Sequence, residues 1–455
     1  MEKRCSNGRS VRYLLMLVSA VTPTANISPA QGSLQRAALD TVFASQLEDG
    51  TWPLSRPLFP YPGFGDAYCY EYEMLTQLLK TLELRELLLD YLPKIGRSAE
   101  FTQKDFYRVE GGTPAWTSGH HPNQEEPESW ATASVYHFIY EFDRLLAEAV
   151  RLELFRYLEI PFPRSGQPRT QESEFASDFL DSNVDVNGNQ SLKLFLWEHF
   201  VRPLRDVAPN VALGEKFKKG TPRSAIFYGP PGTSKTDLAR EIAGFLGWPH
   251  LALDPSHFLR TGMDGIQVEA NKIFRMLEQT ERVVVLFDEF DELVRERGSS
   301  NAEPLSRFLT TAMLPKFARL HKAGTLVFII ATNNIGEFDL AIRREGRFDR
   351  VLQIMPPTYE AKLGKADWGF KKKLNKLGIK ITAQIKQQLE ELTFGECDAL
   401  AGELAKITDK QEAIKLLDDR WKKCTLQTHV SKVHVRKEDE TTWAERCKME
   451  ATHNR

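Results

Sequence analysis

The middle of the chain contains five short apolar runs. Each run is an unbroken series of mainly apolar residues, whereas a half-buried strand would alternate apolar with polar residues. The runs are rich in β-branched residues and are separated by helical stretches: residues 224–228, 250–253, 282–287, 325–331 and 351–354. Such strands are buried on both faces, as in parallel sheets that are covered by helices. The pattern therefore predicts an α/β core, with a parallel sheet covered by helices, over residues 192–357.

Apolar residues recur every three or four positions before and after this core, which is the spacing of amphipathic helices. Helical runs over residues 34–47, 71–91 and 129–158 predict an all-α N-terminal domain over residues 1–163. Polar residues with Pro and Gly signals predict a linker over 164–191. Runs over 384–391, 397–407 and 411–422 predict a small C-terminal helical lid over 358–424, followed by a charged tail over 425–455.

A glycine-rich turn follows the first predicted strand and leads into a helical run. It consists of Gly229, Pro230, Pro231, Gly232, Thr233, Ser234, Lys235 and Thr236. The backbone N–H groups of such a Walker A P-loop wrap a polyphosphate at the positive end of the helix. We expect Lys235 to reach the terminal phosphates and Thr236 to ligate Mg²⁺. Ser234 replaces the last glycine of the general motif, and we expect it to keep the loop conformation while slowing turnover.

The third predicted strand ends in two carboxylates, Asp288 and Glu289. At the carboxyl edge of the sheet, Asp288 would hold the Mg²⁺ shell and Glu289 would polarise the water that attacks the γ-phosphate. Asp291 and Glu292 follow, so a solvated acidic turn is the alternative. The preceding P-loop favours the nucleotide site, in which this strand end is the Walker B motif.

Two more motifs, IIATNN and IRREGRFDR, follow the P-loop motif GPPGTSKT and the Walker B motif LFDEFDEL. The four motifs together are highly specific. In this order and at these distances they resemble the ATPases of the AAA family (ATPases associated with diverse activities). The resemblance is strong over residues 202–357 and weaker to 417. It implies a P-loop NTPase fold, ATP and Mg²⁺ as ligands, and ATP hydrolysis as the activity.

The resemblance also implies roles for three residues beyond the P-loop and Walker B motifs. Asn333 matches the sensor 1 residue, which helps to orient the attacking water. Arg344 and Arg347 match the arginine fingers, which complete the active site of a neighbouring subunit and stabilise charge on the γ-phosphate. The family pattern thus implies a homo-oligomeric ring, typically a hexamer, with ATP at each subunit junction.

Two segments depart from the family pattern. Family members that thread polypeptides usually carry an aromatic–Gly pair in a pore loop after the second strand. Residues 254–265 contain no such pair, and Phe258 and Met263 are the candidates to replace it. Residues 393–400 resemble the start of the lid helix, where small residues approach the nucleotide, but Glu396 and Cys397 depart from that pattern.

The N-terminal region has a fainter resemblance. Residues 36–52, which include the stretch from Gln46 to Trp52, are similar to the glutamine–tryptophan repeat of α/α-toroid proteins such as terpenoid cyclases, with a weak echo around Trp116 and Trp130. In those proteins the Gln caps a helix end and the Trp stacks on the next turn. An ordinary helical domain with aromatic-rich loops explains the same residues, and either interpretation favours binding or docking over a second catalytic activity.

Composition narrows the choice of partners. Sixty basic and sixty-two acidic residues leave a formal charge of -2, so the whole molecule has no net positive charge to attract nucleic acid or anionic lipid.

Five cysteines without CxxC spacing predict neither a zinc site nor a disulfide framework. The adjacent His120 and His121 cannot easily share one tetrahedral ion, which favours a solvated loop. The basic run at 371–376 predicts an exposed helix face, with a nucleic-acid contact as the minority interpretation.

The N-terminus carries basic residues ahead of an apolar run at residues 13–21, a pattern typical of a signal peptide. A first amphipathic helix explains the same residues. The run is too short for a membrane span, which needs about 20 apolar residues. Because an ATP-dependent engine needs cytosolic ATP, we expect a cytoplasmic location.

These observations predict an enzyme that hydrolyses ATP to ADP and phosphate. Hydrolysis would be coupled to remodelling of a protein or complex that the N-terminal domain binds. The alternative is an ATP-gated scaffold or sensor switch with slow turnover, which Ser234 and the missing aromatic–Gly pair support. A nucleic-acid motor is disfavoured by the neutral net charge.

Overall fold

A computed structural model describes most of the chain between residues 29 and 426. The described residues are 29–52, 69–81, 84–104, 106–109, 111–118, 126–162, 175, 181–182, 191–207, 221–262, 264–289, 313–333, 348–365 and 368–426. The chain divides into two compact units, Met1–Leu152 and Glu153–Arg455. Most of the predicted linker at 164–191 lies outside the described residues, and the predicted domain limits stay predictions.

The first unit is built from helices, as the three-and-four spacing predicts. Its elements are α1 Pro29–Ala44, α2 Cys69–Lys80, α3 Arg85–Leu88, a 3-10 turn Leu89–Tyr91, α4 Leu92–Lys104, β1 Tyr107–Arg108, β2 Pro114–Ala115 and the start of α5 Ser129–Tyr157. The predicted single helix over 71–91 is wrong, because α2 stops at Lys80 and α3 begins at Arg85. Five positions turn a helix by about 140°, so the break allows Leu79 and Leu84 both to be buried.

Gln46 and Trp52 hold the segment after α1 against its neighbours. The Gln46 amide Nε2 donates hydrogen bonds to the Lys94 carbonyl at 2.9 Å and to Ser98 Oγ at 3.1 Å, both in α4. The Trp52 indole Nε1 donates to the Val42 carbonyl in α1 at 2.8 Å, and the ring is buried. The segment thus ties α1 to α4 through side-chain bonds, while the toroid resemblance stays a prediction.

Gly50 lies within this segment at a point where only glycine fits. Its φ is +93°, and a Cβ there would lie 2.4 Å from the Arg97 carbonyl carbon. We expect Gly50→Ala to lower the free energy of unfolding of the first unit by about 2–4 kcal/mol, from left-handed backbone strain plus the clash. Gly111→Ala is the matched control, because Gly111 has a φ of +88° but nothing within 4 Å of its Cβ position. Equal losses in urea unfolding of the two variants would contradict the packing argument.

The second unit contains the predicted parallel sheet. Its strands are β3 Ser224–Tyr228, β4 His250–Leu253, β5 Val284–Phe287, β6 Val327–Thr332 and β7 Arg350–Gln353. The strand order is β4-β5-β6-β3-β7, and every neighbouring pair is parallel. The prediction of an α/β P-loop architecture is therefore confirmed. Strand β5 begins two residues later than predicted, because Arg282 has a left-handed φ of +53°.

Helices cover the sheet and form the lid. They are α6 Leu192–Leu196, a π-helical turn Trp197–Val201, α7 Arg202–Val207, α8 Lys235–Leu246, α9 Pro255–Phe258, α10 Ile266–Glu278, α11 Leu314–Ala323, α12 Tyr359–Gly364, α13 Phe370–Lys376, α14 Ala383–Glu390, α15 Phe394–Leu404 and α16 Lys410–Lys422. Successive residues of β3 enter different clusters, since Ile226 packs in one core and Phe227 in the other. Both faces of the sheet are thus buried, which explains the continuous apolar runs.

The lid has its own buried apolar cluster. A buried lysine caps the carboxyl end of one helix of the lid. The Lys362 side chain is completely buried, and its Nζ donates to the carbonyls of Leu389, Glu390 and Leu392 at 2.6–2.7 Å. These carbonyls lie at and just beyond the end of α14, where backbone acceptors lack helical partners. Burial lowers the pKa of Lys362 to about 8. The lysine therefore satisfies the end of α14 inside the lid.

Several predictions concern surfaces and metal ligands. Lys371, Lys372 and Lys376 are exposed on α13, as predicted for the basic run. Over the part of the chain that the structure describes, no helix is long and apolar enough to cross a membrane. The same residues contain no group of three or more His, Cys, Asp or Glu side chains that could hold a metal ion. His120 and His121 lie outside the described residues.

Candidate nucleotide site

The P-loop joins the end of β3 to the start of α8. Gly229 has a φ of +154°, and a Cβ there would lie only 2.1 Å from the Ile354 carbonyl oxygen, so the loop begins with a residue that must be glycine. Ser234 directly precedes α8 with φ 62° and ψ 30°. This is the left-handed conformation that glycine adopts without penalty, and a side chain there costs about 1 kcal/mol. Ser234 thus adopts a glycine-type conformation at this position.

A cleft of about 380 Å³ opens over this loop. It is lined by Pro231, Gly232, Thr233, Ser234, Lys235, Thr236, Asp237, Asp288, Glu289, Ala331, Thr332, Asn333, Phe394 and Gly395. Most of the residues predicted for the site therefore line one cavity. Gly229 and Pro230 contribute their carbonyl groups beneath it.

Lys235 connects the P-loop to the end of β6. Its side chain is buried, and Nζ donates to the carbonyls of Gly229 at 3.0 Å and Pro230 at 2.9 Å and to Asn333 Oδ1 at 2.9 Å. Thr233 Oγ1 donates to the same Pro230 carbonyl at 2.9 Å and closes the loop. The lysine therefore holds a positive charge between the loop and the predicted sensor residue.

Thr236 and Asp288 meet on the other side of the loop. The Thr236 hydroxyl donates to Asp288 Oδ2 at 2.6 Å, although the two residues come from α8 and from the end of β5. A hydroxyl and a carboxylate are hard oxygen ligands of the kind that Mg²⁺ prefers. The pair fits a Mg²⁺ ion that also binds phosphate oxygens.

Glu289 lies beside Asp288 at the cleft wall. It is exposed and has a left-handed φ of +55°, and its backbone N–H donates to Asp288 Oδ1 at 3.0 Å. Asp288 accepts from Thr236, whereas Glu289 is exposed and lines the cleft, so the two carboxylates can serve different roles. A carboxylate placed there can accept a proton from water.

The lid contributes to the cleft through residues 393–400, the segment that resembles the start of the family's lid helix. Phe394 and Gly395 line the cleft, and the Phe394 N–H donates to the Gly232 carbonyl at 3.4 Å. The departure at Glu396 also has a physical reason. Its carboxylate accepts from the Thr393 N–H at 2.8 Å, which forms a capping box, and from the Thr425 N–H at 2.7 Å. A Glu three residues after a Thr is a sequence signal for that cap.

Two further predictions concern the arginine fingers and the pore loop. Arg344 and Arg347 lie outside the described residues. Phe258 is completely buried in the core of the second unit, so it is not available as a pore aromatic. Met263, the other candidate, lies outside the described residues.

Asp349 anchors the chain just after the predicted arginine fingers. Its carboxylate accepts from the N–H groups of Arg223 at 2.8 Å and Ser224 at 3.0 Å and lies 3.1 Å from His321 Nε2. Burial alone would raise the pKa of Asp349, but the hydrogen bonds from His321, Arg223 and Ser224 lower it to about 2. Asp349 is thereby fixed to the start of strand β3.

This anchor has a pH signature. Because the pKa of Asp349 is lower in the folded chain than the ordinary 3.8, its carboxylate stabilises the fold above about pH 4 and loses this effect as the pH falls toward 2. We expect Asp349→Asn to reduce the free energy of unfolding by about 2 kcal/mol at pH 7 and by less at pH 3. Urea unfolding at both pH values tests this, and a difference independent of pH would contradict it.

The fold and the site together define a P-loop nucleotide-binding protein. Residues 225–356 match the model of the ATPase family associated with various cellular activities, AAA. Residues 225–356 therefore form a domain of the AAA type, and the resemblance drawn from the four motifs is confirmed at this level.

Part of the chain is similar in sequence to known proteins. The chain is 34% identical over 204 residues to the human ATPase family AAA domain-containing protein 2, covering 42% of this chain and 14% of that protein. It is 28% identical over 173 residues to the ATPase family protein 2 homolog of Caenorhabditis elegans, covering 38% of this chain and 23% of that protein. A third relative, the ATP-dependent zinc metalloprotease FtsH of Lachnoclostridium phytofermentans, is 31% identical over 180 residues, covering 39% of this chain and 30% of that protein. The similarity thus spans less than a third of each of these relatives.

Proposed function

We propose that the chain binds Mg²⁺ and ATP in the cleft over the P-loop and hydrolyses ATP to ADP and phosphate. One observation carries the proposal: Lys235, Thr236, Asp288, Glu289 and Asn333 come from three separate segments and line the same cavity. Each has the chemistry that phosphoryl transfer to water needs, which is mainly positioning and charge stabilisation.

The roles follow from the contacts. The Lys235 ammonium exchanges its protein acceptors for phosphate oxygens. Thr236 and Asp288 would hold a Mg²⁺ ion, which would supply positive charge against the phosphates. Glu289 accepts a proton from the attacking water, and the Asn333 amide orients that water. Asn333 Oδ1 already accepts from Lys235 Nζ, so the water-orienting group and the phosphate-binding group are linked.

We further propose that the ATPase works in a ring, with Arg344 and Arg347 of one subunit reaching the nucleotide of the next. Hydrolysis would then remodel a protein or complex that the first unit binds. The helical first unit supports a docking role, and a cytoplasmic location stays a prediction. Because Phe258 is buried, nothing among the described residues supports threading by an aromatic pore loop.

A mixing experiment tests the shared site. Glu289→Gln and Arg347→Ala are each expected to lack steady-state phosphate release, because one removes the base and the other the group donated in trans. An equimolar mixture should regain activity, because some junctions then combine an intact Glu289 site with an intact arginine from the neighbour. The control is a mixture of Glu289→Gln with the double variant Glu289→Gln/Arg347→Ala, which contains no intact site. No recovery in the first mixture would contradict action in trans.

An ATP-gated scaffold or sensor with slow turnover is the second candidate. The observation that favours it is the left-handed Ser234, which stands in the loop where the general motif has glycine. Under this alternative the chain binds ATP and assembles, yet wild type and Glu289→Gln release phosphate equally slowly.

A further inference from the structure

The last turn of helix α5 is part of the second unit. Leu154, Phe155 and Leu158 are at most 3% exposed, and they belong to the same buried cluster as Phe258 and Phe274. Residues 129–152 of the same helix belong to the first unit. One continuous helix therefore has its carboxyl end set in the core that carries the nucleotide site.

The helix ends in an unusual way. The Glu159 N–H donates to the Arg156 carbonyl and the Ile160 N–H donates to the Phe155 carbonyl, each at 3.0 Å, which closes the helix with a left-handed residue. That residue is Glu159, with a φ of +59°, where glycine is the usual choice. The carboxylate of Glu159 forms an ion pair with Arg260. A glycine would end the helix with less strain but would leave Arg260 without this pair.

Arg260 holds the helix end in two further ways. Its guanidinium donates to the Tyr157 carbonyl at 2.5 Å and lies 5.4 Å from the centre of the Tyr157 ring. Lys272 Nζ lies 3.9 Å from the centre of the same ring. The Tyr157 hydroxyl donates to Glu269 Oε1 at 2.6 Å, which fixes the ring against α10. We call Tyr157, Glu159 and Arg260 the helix-end junction.

A short series of hydrogen-bonded residues links the helix-end junction to the nucleotide site. The backbone N–H of Asp288, the predicted Mg²⁺ ligand, donates to the Leu253 carbonyl at 2.8 Å. The next residue, Asp254, caps α9 by accepting from the Ser256 N–H at 2.8 Å. Helix α9 ends at Phe258, and Arg260 follows two residues later. The loop that begins beside the predicted Mg²⁺ ligand thus ends at the carboxyl end of helix α5, within the second unit.

We propose that the helix-end junction couples the nucleotide site to the carboxyl end of helix α5, so that ATP binding alters the last turns of this helix. This inference rests on the proposed ATP binding. A movement at Asp288 displaces Leu253 and the capped helix α9, and Arg260 carries that displacement to Tyr157 and Glu159. Coupling of this kind is reciprocal, so disturbing the junction must change the affinity for ATP by the same factor by which ATP changes the junction.

Hydrogen exchange of the full chain, with and without Mg²⁺ATP, tests the proposal, with ATP binding measured separately. In the wild type, peptides covering residues 145–162 should exchange at a different rate when ATP is bound. Arg260→Ala should still bind ATP but with a changed dissociation constant, and it should lose the exchange difference. Arg156→Ala is the matched control, because Arg156 lies in the same helix, is 82% exposed and pairs with Glu153; it should behave as the wild type.

Glu159→Gly is a second variant, which tests the helix-end junction even if Arg260→Ala does not fold. Glycine suits the left-handed φ and still ends the helix, so this variant removes the ion pair alone and should reduce the exchange difference. Wild type that binds ATP with no exchange difference over 145–162 would overturn the coupling. So would an Arg260→Ala variant that keeps both the difference and the wild-type affinity. Absence of ATP binding by the wild type would overturn the proposed function and this inference together.

Discussion

Glu289→Gln is expected to reduce steady-state phosphate release by about 10²–10⁴-fold, the usual contribution of a positioned general base. The amide keeps the size of the side chain but accepts a proton from water far less readily than the carboxylate. Binding of ATP should persist, because the predicted phosphate and Mg²⁺ ligands, Lys235, Thr236 and Asp288, are unchanged. The variant should therefore hold ATP and favour the assembled state.

The comparison with Glu289→Gln needs a control of the same chemistry. Glu198→Gln removes the carboxylate of a half-exposed residue that does not line the cleft. It should release phosphate at the wild-type rate. A Glu289→Gln variant as active as Glu198→Gln would remove Glu289 from the catalytic group.

Lys235→Met is expected to weaken ATP binding by about two orders of magnitude. The side chain keeps its length but loses the ammonium, and two charge-assisted hydrogen bonds to phosphate at about 1.5 kcal/mol each account for that factor. Equilibrium titration with ATP measures the dissociation constant directly. Phosphate release should fall as well, since Lys235 also contacts Asn333.

Lys371→Met is the matched control for Lys235→Met. Lys371 is exposed on α13 in the lid and does not line the cleft. Its loss should leave the dissociation constant for ATP unchanged. Equal affinities of the two variants would show that Lys235 makes no specific contact with the phosphates.

The sheet could be predicted from sequence because its strands carry their own signal. Strands β3 and β4 begin and end at the predicted residues, since each is a continuous apolar run bounded by turn residues. The P-loop could also be predicted from the sequence, because a glycine-rich turn of this kind between a strand and a helix has few functions other than binding phosphate. Local chemistry therefore identified the fold class and placed Lys235 and Asp288 at the same edge of the sheet.

What the sequence did not predict depends on contacts between distant segments. Leu154 and Phe155, at the end of α5, belong to the same buried cluster as Phe258 and Phe274, which follow much later in the chain. Periodicity shows that a face is apolar but not which surface covers it. The same limit made Phe258 a candidate pore residue, although it is buried in the core.

Phosphate release from Mg²⁺ATP by the wild type, measured across protein concentrations, tests the central claim most directly. A shared site in a ring predicts that activity per subunit rises with concentration and then levels off, and that it requires Mg²⁺. Wild type that binds ATP but releases no phosphate at any concentration would contradict ATP hydrolysis and leave the ATP-gated switch as the better account.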